Sequence, residues 1–239
     1  MHSKRLAIAT LLLLIASAMA GAWAADPVPA NAAKDLDLHR MGWLPSDVYD
    51  VGEGLPDPTV NAIAVLPGGQ AWVGTMRGLA RQSGPRMQAE HGPDGVLDGA
   101  ILDLAVTRDG DLLVATDSRG VWRMRKDTWS SLGRPFGSNR VQRLRVFDQG
   151  ERQRVFAIGG GVAELVGTRW REIPLSAELR AREQFDIALE AGRDGAGDTL
   201  WVASYGPGLY RCDSAAMCTA VPIPGPGPRT DEIRTLQLQ

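Results

Sequence analysis

Short apolar runs alternate with turn residues along most of this chain. The first run of each group lies at residues 60–66, 100–106, 141–147 and 185–189. A second run lies at residues 71–75, 112–116, 155–158 and 200–204, and a third at 79–81, 121–124, 162–165 and 209–211. Glycine and aspartate fill the intervening turns, as in RDGD at 108–111. Because such turns connect antiparallel strands, the pattern predicts a series of β-hairpins.

The groups of strands repeat at a nearly constant interval. A glycine precedes the third strand of every group. These glycines are Gly78, Gly120, Gly161 and Gly208, and the intervals between them are 42, 41 and 47 residues. A weaker fourth strand carries Trp129 in the second group and Trp170 in the third. Units of about 40–50 residues with four short strands are typical of β-propellers. The sequence therefore predicts an all-β fold, a β-propeller of four-stranded antiparallel blades near 54–93, 95–134, 136–175 and 183–223.

The first strand of the first blade is apolar on both sides. Strict alternation gives it two faces, which are Val60, Ala62, Ala64 and Leu66 on one side and Asn61, Ile63 and Val65 on the other. Nearly apolar character on both sides is typical of a strand that is covered on both faces. We therefore expect neighbouring blades on both sides of this strand. Residues 176–184 predict one or two helical turns inserted between the third and fourth blades.

The last residues begin a pattern that they do not complete. Residues 231–239 (DEIRTLQLQ) match the first strand of a blade, which predicts a partial fifth blade near 229–239. The glycine turn and the tryptophan-containing second strand that should come next are missing from the sequence. An open propeller leaves blade edges unpaired, which is a hazard for aggregation. We therefore expect an incomplete propeller, from a chain that is truncated or that continues in the biological protein.

Residues 1–25 have the features of a secretory signal peptide. Lys4 and Arg5 precede an apolar stretch at 6–20, and a small-residue cleavage pattern comes after it. The stretch is short for a membrane span, which needs about 20 apolar residues. Residues 26–42, rich in proline, alanine and polar residues, predict a linker or arm. The mature chain, with the blades in 43–239, is therefore expected to be exported.

The charge of the chain narrows its expected partners. The full sequence has a formal net charge of −2, and removal of residues 1–25 with Lys4 and Arg5 makes it −4. A mildly acidic chain does not favour a phosphate-binding surface, so nucleic acid is not an expected partner. Its 28 glycines and 15 prolines agree with a turn-rich β-protein, and a hydrophobic fraction of 44% is enough for a packed core.

The first repeat unit resembles the two-component regulator propeller family. Gly54, Leu55 and Pro56 open this unit as they open the family's repeat. Its second strand, AWVGT at 71–75, includes Trp72 and Gly74, and Gly78 begins the third strand. The fourth unit keeps Trp201 and Gly208, whereas the second has Leu113 where tryptophan is usual and the third keeps little more than Gly161. The resemblance covers residues 43–239.

This resemblance implies a role in signal transduction. Repeats of this family form the periplasmic sensor region of bacterial hybrid histidine kinases and diguanylate cyclases. The implied module is not itself catalytic, senses a small-molecule or saccharide-like ligand, and passes the signal on within a homodimer. It would meet the membrane only through parts that this chain lacks. Neither a cofactor nor a metal is expected in this segment.

Few residues in the repeats point to catalysis. His91 is the only histidine in the repeats, and a single loop histidine is more typical of a solvated side chain than of a catalytic base. The acidic turns at 108–111 and 193–198 each hold two carboxylates, too few for calcium, so hairpin formation explains them better. Trp72 and Trp201 hold corresponding positions, where core packing is expected and an aromatic ligand platform is the alternative.

A basic stretch and a cysteine pair complete the candidate sites. The arginines of the basic stretch are Arg140, Arg143, Arg145, Arg152 and Arg154. They are expected either to form a solvated blade edge or to bind an anionic ligand or a partner domain. Cys212 and Cys218 flank a short turn, where a disulfide, two free thiols and a metal site are the alternatives. Besides a sensor, the sequence leaves open an exported scaffold that oligomerises, or a periplasmic lyase or dehydrogenase of propeller type.

Overall fold

The computed structural model describes residues 49–137, 140–192, 197–206, 208–213, 217–222 and 233–236. The predicted signal peptide and arm lie outside these residues. In the described part, no helix is long and apolar enough to cross a membrane.

Within the described residues, sixteen strands form four antiparallel sheets, each built from four consecutive strands in chain order. The first blade contains β1 (Val60–Val65), β2 (Ala71–Thr75), β3 (Gly78–Ser83) and β4 (Arg86–Glu90). The second contains β5 (Ile101–Val106), β6 (Leu112–Thr116), β7 (Val121–Arg125) and β8 (Thr128–Gly133). The third contains β9 (Val141–Gln149), β10 (Arg152–Gly159), β11 (Val162–Val166) and β12 (Arg169–Glu172). The fourth contains β13 (Gln184–Glu190), β14 (Thr199–Ser204), β15 (Leu209–Cys212) and β16 (Cys218–Val221). This arrangement confirms the predicted all-β fold of four-stranded propeller blades.

The apolar core lies between consecutive blades. One cluster joins the first and second blades around Trp72 and Leu104, and another joins the second and third around Leu113 and Leu144. A third cluster joins the third and fourth blades around Phe156. Each blade therefore has an outgoing face, which packs on the next blade, and an incoming face, which packs on the previous one. The outgoing positions on the second strand of each blade are Trp72, Leu113, Phe156 and Trp201.

A β-bulge interrupts the first strand of every blade at the same place. The pairing register skips one residue in β1, β5, β9 and β13, and these residues are Asn61, Leu102, Gln142 and Phe185. An extra residue reverses the side on which the preceding side chain points. The residue before the bulge therefore lies on the incoming face. In the second blade, for example, Ile101 precedes the bulge and lies on the same face as Leu104, which follows it.

The prediction that both faces of β1 are covered was wrong. The bulge at Asn61 places Val60 on the same side as Ile63 and Val65, not with Ala62 and Ala64 as strict alternation suggested. Val60, Ile63 and Val65 are 42%, 66% and 57% exposed. Ala64, on the other side, is buried against the second blade. The incoming face of the first blade is thus open at β1 in the described structure, whereas Leu55 and Tyr49 pack on its other strands against Ala80 and Met87.

The repeated glycines sit in the turn between the second and third strands of a blade. The Thr75 hydroxyl donates to the Gly78 carbonyl oxygen, and Thr116 donates to that of Gly120 in the same way, both at 2.8 Å. Gly120 has a φ of 72°, and a Cβ there would overlap the carbonyl oxygen of Gly133. A side chain at this position would therefore strain the backbone and collide with the neighbouring strand.

A short helix, α1 (Ala177–Arg180), lies between the third and fourth blades, within the segment for which the sequence predicts helical turns. The Ser176 hydroxyl caps it by accepting from the Leu179 backbone N–H. Leu179 is fully buried in the core between these two blades. The Tyr210 hydroxyl of β15 donates to Glu178 at 2.8 Å, so the insertion is tied to the fourth blade by both apolar and polar contacts.

Candidate functional site

A buried carboxylate joins the third and fourth blades near their first strands. Asp186 of β13 has no solvent-exposed surface. Arg145 of β9 donates to it through Nε and Nη2, both at 2.7 Å, and the Ile187 backbone N–H donates at 2.8 Å. Arg143 Nη1 lies 3.3 Å from Asp186 Oδ2. Two guanidinium groups on one blade therefore neutralise one carboxylate on the next.

Residues 233–236 lie where the first strand of another blade would lie. The Leu236 backbone N–H donates to Asp186 Oδ2 at 2.9 Å. An equivalent hydrogen bond joins the second and third blades, where the Leu144 backbone N–H donates to Asp103 Oδ2 at 2.8 Å. The sequence predicts the start of a fifth blade in this segment, and this stays a prediction, since residues 233–236 form no strand and the rest of the segment lies outside the described residues.

The basic stretch at 140–154 forms ion pairs between blades. Arg143 and Arg145 pair with Asp186, and Arg154 pairs with Asp198, all between the third and fourth blades. Arg140 lies 3.3 Å from Asp117 of the second blade. The sequence analysis did not identify the carboxylates of the chain itself as the partners of these four arginines.

A cleft opens between the third and fourth blades, on the side of the turn that joins β9 to β10. It has a volume of about 430 Å³. One wall is an ion-pair network built on Arg154 and Glu164. The apolar part of its lining includes Phe156 from the third blade and Leu200 and Cys212 from the fourth. Two blades therefore contribute to one amphipathic cleft, which is the arrangement that small-molecule sites commonly use.

The network in the cleft is a chain of four alternating charges. Arg171 Nη2 donates to Glu164 Oε2 at 2.6 Å, and Arg154 Nε donates to Glu164 Oε1 at 2.6 Å. Arg154 Nη1 then donates to Asp198 Oδ2 at 2.7 Å. The Arg154 guanidinium also lies over the Phe156 ring, 4.9 Å from its centre. These contacts fix the position of both arginines.

Glu164 is the buried centre of this network. Burial by itself would raise the pKa of this carboxyl group. The hydrogen bonds and positive charges of Arg154 and Arg171 outweigh burial and hold the pKa of Glu164 below its ordinary value. The ionised carboxylate therefore stabilises the folded protein at neutral pH, and this stability is lost as the pH falls through the lowered folded pKa.

We expect Glu164→Gln to reduce the free energy of unfolding by about 2–4 kcal/mol at pH 7, because two arginines lose their shared carboxylate. The difference from the unchanged protein should narrow in acid, as the pH falls from the ordinary pKa of a glutamate through the lowered folded pKa of Glu164. Urea unfolding at several pH values measures both effects. Glu172→Gln removes the same charge from an exposed position and is the matched control. A constant difference across the pH range would contradict the role assigned to the Glu164 charge.

Glu164 occupies a position that holds arginine in the other three blades. It lies directly across from Phe156, whereas the residues across from Trp72, Leu113 and Trp201 are Arg81, Arg123 and Arg211. The sequence analysis did not single out Glu164. Comparison of the four repeats position by position would have shown this reversal of charge.

Cys212 and Cys218 form a disulfide. They are directly opposite each other where β15 meets β16, so the bond closes the end of this hairpin. Cys212 is buried and lines the cleft. The outermost strand of the fourth blade is thus attached covalently beside the cleft.

We expect reduction of this disulfide to lower the free energy of unfolding by about 2 kcal/mol, since the closed loop is short. Urea unfolding with and without a dithiol reductant measures the change. A variant that combines Cys212→Ala with Cys218→Ala should not respond to the reductant. An equal response in that variant would show that the reductant acts elsewhere.

Most of the remaining candidates have structural partners. His91 Nδ1 lies 2.5 Å from Asp98 in an exposed loop. Both oxygens of Asp111, in the acidic turn at 108–111, accept from Arg125. In the other acidic turn, residues 193–196 are outside the described residues. Trp72 is fully buried, whereas Trp201, at the corresponding position, is half-buried. No group of three or more described His, Cys, Asp or Glu residues is placed to hold a metal ion.

The geometry has parallels among solved structures, although no family model and no curated protein sequence matches this chain. The extracellular domain of a protein described as the hybrid two-component system BT3049 of B. thetaiotaomicron superposes with a TM-score of 0.59 at 15% identity, over 74% of this chain and 26% of that one. The corresponding domain of BT4673 gives 0.53 at 13%, over 74% and 23%. Virginiamycin B lyase from Staphylococcus aureus gives 0.51 at 14%, over 70% and 57%. The chain spans about a quarter of the length of these two extracellular domains. At these identities the likeness shows the propeller fold.

Proposed function

We propose that this chain is the exported, ligand-sensing β-propeller of a bacterial signal-transduction receptor and is not itself catalytic. The receptor would be a sensor histidine kinase or a diguanylate cyclase, with this segment on the periplasmic side. The repeat motifs and the fold shared with extracellular domains of two-component proteins support this assignment.

The cleft between the third and fourth blades is the observation that carries the proposal. Its walls come from two separate sheets that meet through side chains, so a bound molecule contacts both. Any ligand that favours one relative position of the two blades shifts the population toward that position. A receptor can transmit such a shift through its membrane-spanning part, whereas a catalytic site would need a nucleophile and a base in contact.

The open part of the incoming face of the first blade, at β1, supports the view that further blades belong to the receptor. In the second blade, Ile101 and Leu104 hold the positions that Val60 and Ile63 hold in the first. They are 0% and 8% exposed because the first blade covers them. Ile63 occupies the position of Leu104 and is 66% exposed. We propose that a later blade of the receptor covers Ile63 and Val65.

Export is the first part of the proposal to test. Alkaline phosphatase folds to an active enzyme only after it reaches the oxidising periplasm. A fusion that follows residue 239 should therefore be active in intact bacteria, and the same fusion without residues 2–25 should be inactive. Equal activity of the two fusions, or none in either, would contradict export by this segment.

Ligand sensing is tested on the exported protein with a set of saccharides, amino acids and organic ions. We expect one class to raise the midpoint of thermal unfolding and to remain chemically unchanged. Leu189→Trp, which fills the cleft, should abolish the shift, and Val166→Trp on an exposed site should not. Conversion of a compound to product would identify an enzyme instead.

A scaffold that oligomerises is the second candidate, and the same open face favours it. Exposed apolar side chains on an uncovered sheet face favour association with another surface. A discrete dimer that Ile63→Glu dissociates, with no ligand response, would support the scaffold. A monomer with a ligand response would support the sensor.

A further inference from the structure

A pocket between the second and third blades lies on the same side as the cleft, next to the turn that joins β5 to β6. It has a volume of about 220 Å³. Its apolar part includes Leu113 of the second blade with Val155 and Leu165 of the third, and Arg123 of β7 contributes a guanidinium group. Arg123 holds the position that Glu164 holds in the cleft. The pocket and the cleft are therefore equivalent in the repeat but carry different charges.

The guanidinium group of Arg123 has no partner in the part of the chain that the structure describes. Its Nε is buried and makes no hydrogen bond, and no described carboxylate forms an ion pair with it. By contrast, at the equivalent position of the first blade, Arg81 Nε lies 3.7 Å from Glu90. In the fourth blade, Arg211 Nη2 donates to Thr199 Oγ1 at 3.4 Å. Because a buried donor without an acceptor is unfavourable, Arg123 favours an acceptor that enters from solvent, and a carboxylate matches its fork of donors.

The two carboxylates of the pocket lining differ in the same way. Both oxygens of Asp111 accept from Arg125, and the Asp111 side chain is only 6% exposed. Asp109 is exposed, and within the described residues its carboxylate makes neither a hydrogen bond nor an ion pair. Arg125 is near enough to interact with Asp109 electrostatically, but its hydrogen bonds go to Asp111. Asp109 can therefore accept a hydrogen bond from a ligand.

The lining of the pocket has no net charge, because Arg123 and Arg125 balance Asp109 and Asp111. A simple anion at Arg123 would be repelled by Asp109, and a simple cation at Asp109 would be repelled by the two arginines. A ligand that carries one charge of each sign avoids both repulsions. The volume is below the range that drug-sized ligands occupy, so the rest of the ligand has only a few carbon atoms.

We propose that this pocket binds a small aliphatic α-amino acid as its zwitterion. The carboxylate of the ligand accepts from Arg123, its ammonium group donates to Asp109, and its side chain lies against Val155 and Leu165. This is a second binding site, separate from the cleft between the third and fourth blades. The proposal does not rest on the sensing function proposed for that cleft.

Three probes of nearly equal shape test the charges of the ligand. The exported protein is titrated by calorimetry at neutral pH with L-valine, with 3-methylbutanoate, which lacks the ammonium group, and with 2-methylpropylammonium, which lacks the carboxylate. We expect valine to bind at least about tenfold more tightly than either analogue, because only valine satisfies both charged groups of the pocket.

A pair of arginine variants tests the carboxylate end of the site. Arg123→Gln should weaken valine binding by about tenfold or more, the size expected for hydrogen bonds between charged groups. It should leave the midpoint of thermal unfolding without ligand unchanged, because Arg123 has no ion pair to lose within the described residues. Arg86→Gln removes an exposed arginine from β4 of the first blade and should leave valine binding unchanged.

A pair of aspartate variants tests the ammonium end. Asp109→Asn should weaken valine binding by about three- to fivefold, the size typical of an exposed charge pair. Asp127→Asn changes an exposed aspartate of the next turn of the same blade, outside the pocket lining, and should have no effect. Leu189→Trp, which fills the cleft between the third and fourth blades, should also leave valine binding unchanged.

Several results would overturn the proposal. These are no binding of valine at millimolar concentration, equal affinity for valine and either analogue, and equal effects of Arg123→Gln and Arg86→Gln or of the two aspartate variants. If Leu189→Trp abolishes valine binding while Arg123→Gln does not, valine occupies the cleft. The pocket proposal then falls and the sensor proposal stands. If valine binds through Arg123 while no compound acts through the cleft, the sensor proposal falls and the pocket proposal stands.

Discussion

Asp186→Asn is expected to lower the free energy of unfolding by about 3–5 kcal/mol, the cost of removing one member of a buried ion pair. The carboxylate is fully buried and receives hydrogen bonds from Arg145, Ile187 and Leu236. An amide cannot neutralise Arg145 and Arg143, so two guanidinium groups would stay near the core without a counter-charge. Urea unfolding, with the slope checked for a single transition, measures the loss.

An exposed ion pair between blades provides the control. Arg108 and Asp148 are 2.9 Å apart, and their side chains are 45% and 57% exposed. Asp148→Asn should change the free energy of unfolding by about 1 kcal/mol or less, since solvent screens exposed pairs. If both substitutions had the same small effect, Asp186 would not connect the third and fourth blades as described.

Trp72→Ala should cost about 3–5 kcal/mol, whereas Trp201→Ala should cost less than half as much. The two side chains hold the same position on the outgoing faces of the first and fourth blades. Trp72 is fully buried and meets Trp129 edge to face, with ring centres 6.1 Å apart. Trp201 is half-buried, and its indole N–H donates to Glu190 at 2.9 Å. The difference between the two losses therefore measures what a following blade contributes.

Thermal and urea unfolding of both variants provide the test, with Trp129→Ala as a check on the edge-to-face contact. In a longer receptor that includes a complete fifth blade, the loss for Trp201→Ala should rise toward that for Trp72→Ala. Equal losses in this chain would show that Trp201 is covered as fully as Trp72, which would contradict the half-buried position of its side chain.

The strands and the repeat could be predicted because they depend on local residues. The alternating apolar runs at β2 and β6, for example, match their observed limits. The face assignment of β1 failed because a bulge at Asn61 leaves no clear mark in a single strand. The bulge can be recognised only when the first strands of the four blades are aligned, because the extra residue then falls at the same position in each.

The ion pairs of the site could not be predicted from one segment at a time. Arg145 and Asp186 are 41 residues apart, and Arg154 and Asp198 are 44 residues apart. These separations are close to one repeat length, because consecutive blades stack with equivalent strands side by side. A search for opposite charges one repeat apart would have found both pairs, whereas the interpretation of 140–154 as a basic stretch suggested either a solvated blade edge or an external partner.

The stacking of blades has a consequence for cooperativity. Three of the four apolar clusters of the described residues join consecutive blades, and so do the ion pairs of Arg108, Arg140, Arg145 and Arg154. Stability in such an array is close to a sum over blades and nearest-neighbour interfaces, as in other repeat proteins. A substitution at the interface of the third and fourth blades can therefore destabilise that interface alone and leave the first two blades folded.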